Sequence, residues 1–252
     1  MYDKKIKTLI NEAKKVYNEL QEKPITSIQY TKDEKIDAEI RNIKGKPYLF
    51  VLACAMDRQI AAKRAWAIPY KVCQYFNVTT FDQLAKLDES LITKCFIAEN
   101  LHRYNDVMSK IFYKAVQRIK TQYHGDASLI WKDNPSSATV VYRFLCFEGM
   151  GIKIATMAAN LLCRDLKVTF KDKYALDVSP DIHVCRILYR LGLTDNTDNR
   201  DAVIYKAREI NPEYPGVIDA VCWQYGQKYC HKNNPNCQEC PLSNVCAHHN
   251  KI

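Results

Sequence analysis

Apolar residues recur at every third or fourth position along most of the chain, which is the spacing that places them on one face of an α-helix. The pattern is clearest between residues 3 and 22, where lysines and glutamates fill the opposite face. The apolar face of this segment consists of Ile6, Leu9, Ile10, Ala13, Val16, Tyr17 and Leu20. Further helical segments follow between residues 39 and 167, separated by short connectors. The pattern therefore predicts a mainly helical protein.

The second half of the chain carries its own start and stop signals. Ser179-Pro180-Asp181 predicts a helix start, with the serine as cap, the proline as first helical residue and the aspartate in the first turn. We expect this helix to end at Gly192 and further helices to cover residues 200–210 and 216–228. The preceding segment, residues 165–178, has no clean helical face and suggests a short extended element.

Composition narrows the class of protein. The 252 residues, 47% of them apolar, suit one large domain or two small ones with ample material for a core. A net charge of +9 is compatible with a polyanionic partner such as nucleic acid. No apolar run has the length of a membrane span, and the first residues lack the core of a signal peptide. We expect an intracellular protein, in the cytoplasm or nucleoid if the organism is a prokaryote, with no membrane partner and with reduced thiols.

The cysteines fall into two groups. Those that stand singly among apolar neighbours are predicted to be small core residues, and they are Cys54, Cys73, Cys95, Cys146, Cys163, Cys185 and Cys222. The others crowd into the tail CHKNNPNCQECPLSNVC with the spacing C-x6-C-x2-C-x5-C, and they are Cys230, Cys237, Cys240 and Cys246. A single compact loop of thiolates suits a [4Fe–4S] cluster. Zinc is the alternative, because His231, His248 and His249 lie close by in the sequence.

Two glycines, Gly149 and Gly151, precede an apolar helical stretch in FEGMGIKIATMAANLL. A G-x-G turn before a helix exposes free N–H groups that can hold a phosphate without reading the bases. Taken alone, the pattern also fits an ordinary turn between helices. Lys153 would lie in the first turn of the second helix, where the helix dipole disfavours a cation and so favours the neutral, nucleophilic amine. The alternative is a lysine that is solvated or contacts a phosphate.

The cysteine spacing and the glycine turn together resemble the endonuclease III family of helix–hairpin–helix DNA glycosylases. The resemblance covers about residues 36–247 and implies an all-α fold of two domains with a C-terminal [4Fe–4S] loop. Residues 37–175 would form a helical bundle that carries the hairpin. Residues 1–36 and 176–252 would form the domain that holds the cluster, which we expect to be structural or to position DNA. The active site would lie in the cleft between the two domains.

The resemblance also assigns two catalytic residues. In bifunctional members of the family, a lysine at the place of Lys153 attacks C1′ of the damaged nucleotide, displaces the base and forms a Schiff base, after which β-elimination nicks the strand. The D-x-H-x-x-R sequence of the family is similar to residues 181–186. Asp181 would therefore stabilise the charge on the sugar and help to deprotonate the lysine. Without the resemblance, Asp181 is explained as a negative charge at a helix start, where the helix dipole favours it.

A base in a duplex must be flipped out of the stack before it can be removed. The resemblance implies that Gln59, at the end of the apolar helix PYLFVLACAMDRQIAA, fills part of the vacated space. It implies a second wedge residue in AENLHRYN, for which Leu101 is the candidate and His102 or Arg103 the competitors. The DNA backbone would be held by the hairpin residues Gly149, Met150 and Gly151.

The chain departs from the family at several positions, which leaves the lesion open. Asp57-Arg58 stands where Ser-Ala is usual, Glu148 where proline is common, Ile152 where a basic residue is common and Ser179-Pro180 where a valine is usual. The segment between the hairpin and Asp181 is also longer than usual. None of these changes removes either catalytic group.

The sequence thus predicts a bifunctional DNA glycosylase and AP lyase, a monomer that acts on double-stranded DNA with a damaged base or an abasic site. Oxidised pyrimidines are the most common target of the family. One alternative is a monofunctional glycosylase in which Lys153 does not react. The other is a non-catalytic iron–sulfur protein that only binds DNA. Lys153 and Asp181 together favour the enzyme over the pure binder, which needs neither.

Overall fold

The computed structural model describes residues 2–251, and within them it contains only helices and irregular segments, with no β-strand. This confirms the all-α prediction. The α-helices are α1 (Tyr2–Glu22), α2 (Glu34–Arg41), α3 (Pro47–Met56), α4 (Ala62–Tyr75), α5 (Phe81–Leu84), α6 (Glu89–Ala98), α7 (Asn105–Gln122), α8 (Ser137–Leu145), α9 (Ile152–Arg164), α10 (Ile182–Leu191), α11 (Arg200–Ile210) and α12 (Val217–Lys228). Within the same residues, no helix combines the length and the apolar character that a membrane crossing requires.

Helix α3 forms the centre of the core. It is apolar on all sides, and every residue from Pro47 to Met56 is buried. A helix with no polar face has to be surrounded by other elements, and α3 packs against α2, α4, α7 and α9. It ends at Met56, earlier than the apolar pattern of the sequence predicts, because the backbone leaves the helical conformation at Asp57 and is left-handed at Gln59.

The first helix lies with the last ones in space. Helix α1 packs along α12, and α12 packs against α10. The side chain of Lys5 donates a hydrogen bond to the carbonyl of Leu191 at the end of α10 (2.7 Å). The predicted second domain, which combines residues 1–36 with residues 176–252, requires this contact between the first helix and the last ones. The domain boundaries at residues 37 and 175 stay a prediction.

Two details of the sequence prediction are wrong. Residues 165–178 form no extended element but an irregular segment with one 3₁₀ turn, Lys173–Ala175. Helix α10 begins at Ile182, with Asp181 as its cap, because Asp181 Oδ1 accepts the backbone N–H groups of His183 and Val184 (both 2.8 Å). Ser179 is not the cap, since its own N–H is donated to Asp219 Oδ1 (2.7 Å).

Other predicted features are confirmed. Gly192 ends α10 in the left-handed conformation, with φ of 71°. Helices α11 and α12 cover the expected ranges, and of the isolated cysteines only Cys146 is half-buried while the others are buried. The cysteines along the helices therefore serve packing, which leaves the C-terminal group to be explained.

Candidate active site

The turn between α8 and α9 forms a helix–hairpin–helix, since the two helices pack against each other and residues 146–151 join them. Gly149 has φ of +82°, a conformation that other residues rarely adopt, and an added Cβ would lie 2.8 Å from Arg58 Nη1. Gly151 has φ of −85°, which any residue adopts, and an added Cβ would meet nothing within 4 Å. The fold therefore requires a glycine at position 149 but not at position 151.

The open side of the hairpin suits an anion. Gly151 is the N-cap of α9, and the first N–H groups of a helix have no partner within it. Free N–H groups and the dipole at a helix start together attract phosphate. Met150, by contrast, is buried, so only its backbone is available to a ligand.

We expect the alanine variants of the two glycines to separate folding from DNA binding. Gly149→Ala should lose about 1–3 kcal/mol of unfolding free energy, because its backbone conformation and its neighbours exclude a side chain. Gly151→Ala should unfold like the unchanged protein but bind duplex DNA about tenfold more weakly, because its methyl group would stand where a phosphate approaches. Thermal unfolding and fluorescence anisotropy with a labelled duplex measure the two effects. Unchanged binding by Gly151→Ala would contradict the phosphate site.

Lys153 lies in the first turn of α9, as the sequence predicts, and its Nζ is 2.9 Å from Asp57 Oδ2. The lysine side chain is 25% exposed and that of the aspartate 11%. Sequence reasoning missed this contact, because Asp57 stood out only as a departure from the family. The available signal was an aspartate directly after a wholly apolar helix, since a charge that follows a buried helix needs a partner.

Asp181 is close to the same lysine. Burial raises the pKa of the Asp181 carboxyl above its usual range, more than the N–H of Val184 and the Lys153 ammonium group lower it. Asp181 is therefore both a helix cap and a carboxylate that interacts electrostatically with Lys153. The ion pair of Lys153 is nevertheless made with Asp57.

A buried polar cluster holds the segment that leads into Asp181. Asp219 accepts the N–H of Ser179, and its Oδ2 lies 3.6 Å from Arg164 Nη1. Burial raises the pKa of Asp219 to about 6, and the nearby Asp181 acts in the same direction. Arg164 also pairs with Asp165 (2.7 Å). These contacts fix the backbone at Ser179 and with it the position of Asp181.

The fold is found among solved structures. A non-covalent complex of endonuclease III with DNA matches with a TM-score of 0.66 and 13% identity, over 98% of this chain and 97% of that one. A thermostable thymine-DNA glycosylase matches with a TM-score of 0.65 and 15% identity, over 100% and 99% of the two chains. A trapped covalent endonuclease III–DNA intermediate, an estranged-adenine complex, matches with a TM-score of 0.61 and 16% identity, over 81% and 85%.

The chain has the fold of endonuclease III. The matches at 98 and 100% of the chain include the hairpin and the residues around Lys153. No protein-family model and no curated protein sequence matches the chain. At identities this low the likeness shows the fold, and the role of each side chain has to be argued from its surroundings.

Within the endonuclease III fold, His183 and Arg186 join α10 to its neighbours. Arg186 donates Nη2 to His183 Nδ1 (2.8 Å) and Nε to the carbonyl of Cys230 (2.7 Å). Burial, followed by the charge of Arg186, lowers the pKa of His183 to about 4, so the ring is neutral. The two residues therefore serve packing and hydrogen bonding.

The four tail cysteines line one cavity at the end of the chain. Arg190 anchors this loop to α10, because its Nη1 donates to Cys230 Sγ (3.2 Å) and to the carbonyl of His231 (2.7 Å). The thiol of Cys246 in turn donates to the carbonyl of Arg190 (3.4 Å). Among residues 2–251, no three Cys, His, Asp or Glu side chains are arranged to hold a single metal ion. The four cysteines therefore surround one space, but no three of them are arranged around a single ion position.

The candidate wedge residues lie on two neighbouring loops. Gln59 is exposed and has φ of 53°, an unusual conformation for a residue other than glycine and one that is often found at functional sites. Leu101, in contrast, is only 2% exposed. It packs into the core after a left-handed turn at Asn100, so its side chain does not reach the surface as the sequence predicts for a wedge. Arg103 and Tyr104 follow His102 in this loop and are both exposed, with the Arg103 guanidinium 5.2 Å from the Tyr104 ring centroid.

His102 ties the two loops together. Its buried ring places Nε2 2.9 Å from the carbonyl of Arg58, and its Nδ1 accepts the N–H of Tyr104 (3.0 Å). Burial lowers the pKa of His102, which favours the neutral ring that donates at Nε2 and accepts at Nδ1. The loop of Gln59 and the loop of Arg103 are therefore held in a fixed relation on the same side of the molecule.

Proposed function

We propose that the protein is a base-excision DNA glycosylase that also nicks abasic sites, a bifunctional glycosylase and AP lyase. One observation carries the proposal. Lys153 lies in the first turn of α9, directly after the hairpin, forms an ion pair with Asp57 and interacts electrostatically with Asp181. An amine close to a phosphate-binding turn and to acid–base groups is what the attack on a sugar carbon of DNA requires. The fold comparisons, which include a covalent endonuclease III–DNA intermediate, support the same class of chemistry.

In this proposal the amine of Lys153 attacks C1′ of a flipped nucleotide. The bond from Nζ to C1′ forms while the glycosidic bond breaks. The C1′–O4′ bond then breaks as O4′ takes a proton, and the ring-opened Schiff base permits β-elimination. Asp181 faces the positive charge that develops on the sugar. Because burial raises its pKa, Asp181 exchanges a proton more readily near neutrality than an ordinary aspartate does.

The DNA would be a duplex, gripped at the hairpin and opened by the two loops. The free N–H groups around Gly151 hold a phosphate, and Gln59 enters the space that the flipped base leaves. Arg103, exposed beside Tyr104, replaces Leu101 as our candidate for the second wedge. The damaged base stays open between an oxidised pyrimidine and other lesions.

We also infer that Cys230, Cys237, Cys240 and Cys246 hold a [4Fe–4S] cluster. They line one cavity and supply four thiolates from a single compact loop. A cube of four irons and four sulfides is larger than an ion and binds thiolates at its corners, so the donor set fits the cluster better than it fits zinc. When bound, the cluster would cross-link the loop and fix its position against α10 through Arg190.

A preparation that carries the cluster is expected to be brown, with broad absorption towards the blue end of the visible spectrum. Cys240→Ser should lose the iron and the colour, and it should also lose stability, because the loop then lacks its cross-link. Cys95→Ser is the matched control, since Cys95 is buried in α6 and does not line the cavity, so this variant should keep its iron. Metal analysis that finds stoichiometric zinc in a colourless protein would contradict the cluster.

A monofunctional glycosylase is the second candidate, and one observation favours it. Lys153 forms an ion pair with Asp57, and an ammonium group cannot act as a nucleophile. In that case the lysine would only stabilise charge, and water would displace the base.

Product analysis distinguishes the candidates. Duplexes that each carry a single damaged or mispaired base are incubated with the protein, and the strands are separated with and without alkali. Nicks that form without alkali support the bifunctional enzyme, whereas nicks that need alkali support the monofunctional one. Tight binding without base release from any duplex would overturn the enzymatic proposal in favour of a DNA-binding protein.

A further inference from the structure

The pair of Asp57 and Lys153 joins two charges that are each unfavourable where they stand. Asp57 follows the last residue of α3, at the end where the helix carbonyls already concentrate negative charge. Lys153 is in the first turn of α9, at the end where the N–H groups concentrate positive charge. Neither charge therefore stabilises its own helix, and each depends on the other.

The pair is also partly withdrawn from water. The side chain of Asp57 is 11% exposed and that of Lys153 is 25% exposed, and Met56, which precedes the aspartate, is fully buried. Replacing such a pair by apolar residues is often neutral or stabilising, so burial of two charges here is poor evidence for a role in stability. A role in positioning the amine explains the pair better.

Asp57 is the carboxylate in direct contact with the amine. Its Oδ2 is 2.9 Å from Nζ, within hydrogen-bond distance. Asp181 uses its Oδ1 to cap α10 and influences Lys153 through space. A proton that leaves Nζ in this arrangement is received most directly by Asp57.

We propose, on the basis of the function proposed above, that Asp57 is the positioning residue that orients Nζ of Lys153 and receives its proton. The proton passes from the ammonium group to Oδ2, which leaves a neutral amine. The lone pair of the amine forms the bond to C1′ while the electron pair of the glycosidic bond leaves with the base. The base then takes the proton from Asp57 and departs neutral, and the substituted nitrogen carries the positive charge. Asp181 keeps its place opposite the charge on the sugar.

The test compares the native protein with Asp57→Asn and Asp57→Ser in single-turnover nicking of an abasic-site duplex between pH 5 and pH 9. Serine is the residue that the family usually has at this position. The serine variant therefore provides the measurement if the asparagine variant does not fold. Glu209→Gln is the control, because Glu209 pairs with the lysine Lys206 on the exposed face of α11. Duplex affinity and thermal unfolding are measured on every variant.

We expect both Asp57 variants to bind DNA normally and to react about 10²-fold more slowly at neutral pH, the contribution typical of a positioned proton acceptor. Their rates should rise steeply with pH, because the amine must then lose its proton to solvent, while the native rate should depend on pH much less, because Asp57 receives the proton. Alkaline pH should therefore restore much of their activity, an effect that a merely structural role would not produce.

The outcomes separate the inference from the proposed function. Variants that react as fast as the native protein, or faster, overturn the role of Asp57 and leave the proposed function standing. Variants that are slower by the same factor at every pH also overturn it, since that result indicates a structural defect. A native protein that does not nick any abasic duplex overturns the proposed function and this inference together.

Discussion

Lys153→Gln is expected to lower the rate of strand nicking at an abasic site by about 10³-fold or more, because the variant has no nucleophile. Glutamine keeps most of the length of the side chain and can donate a hydrogen bond to Asp57, so the carboxylate is not left without a donor. We expect the variant to fold and to bind an abasic duplex, with a loss of about 1–3 kcal/mol in unfolding free energy from the weaker contact. Single-turnover nicking, anisotropy and chemical denaturation measure the three quantities.

Lys206→Gln is the matched control for this prediction. Lys206 also pairs with a carboxylate, Glu209 (2.6 Å), but on α11, which carries none of the proposed catalytic groups. The Lys206→Gln substitution should change neither the rate of nicking nor the affinity for DNA. A Lys153→Gln protein that nicks abasic DNA at the native rate would show that another group performs the chemistry.

Asp181→Asn is expected to lower base release and nicking by about 10²–10⁴-fold while leaving the protein at least as stable as before. Asparagine caps a helix as well as aspartate does, so the N–H groups of His183 and Val184 keep their partner. Under the proposed function, the activity falls because the site loses the carboxylate charge that is proposed to face the sugar. If Asp181 had only a structural role, the Asp181→Asn variant would instead be less stable than the native protein and would react at the native rate.

The stability of this variant should also depend on pH in a defined direction. Burial raises the pKa of the Asp181 carboxyl in the folded protein above its usual value. Protonated Asp181 therefore favours the folded state, and this contribution is fully present below the unfolded pKa and lost as the pH rises through the folded pKa. The advantage of Asp181→Asn over the native protein should thus grow from pH 4 towards neutrality. Denaturation curves at both pH values test this, and an asparagine variant that is less stable at pH 7 would contradict it.

The sequence predicts the helical elements well where one physical rule dominates. The apolar spacing of residues 3–22 predicts α1 closely, and the left-handed glycine at position 192 marks the end of α10. The two glycines and the apolar stretch after them correctly predict the turn and the start of α9. These features depend on neighbours within a few positions, which the sequence displays directly.

The sequence does not predict contacts between distant segments. Asp57 and Lys153 are 96 positions apart, and only the packing of α3 against α9 brings them together. Leu101 is similar to a wedge residue by its place in the chain, yet the turn at Asn100 directs it into the core. The start of α10 was misassigned because the buried carboxylate of Asp219 binds the N–H of Ser179, and that partner lies 40 positions away.

One departure from the family pattern also gains an explanation. Glu148 introduces a carboxylate into the hairpin, next to the turn that is proposed to hold a phosphate. Both of its oxygens accept from Nζ of Lys114, at 2.7 and 2.8 Å. The pair is exposed, so its contribution to stability is small, but it offsets the negative charge beside the hairpin.

Borohydride trapping on a duplex with a single abasic site tests the central claim most directly. Reduction converts a Schiff base between Nζ and C1′ into a stable bond, so the protein becomes covalently attached to the DNA. The account predicts a covalent product with the native protein and none with Lys153→Gln at equal DNA binding. A product that persists in Lys153→Gln, or no product from folded native protein that carries its iron, would contradict it.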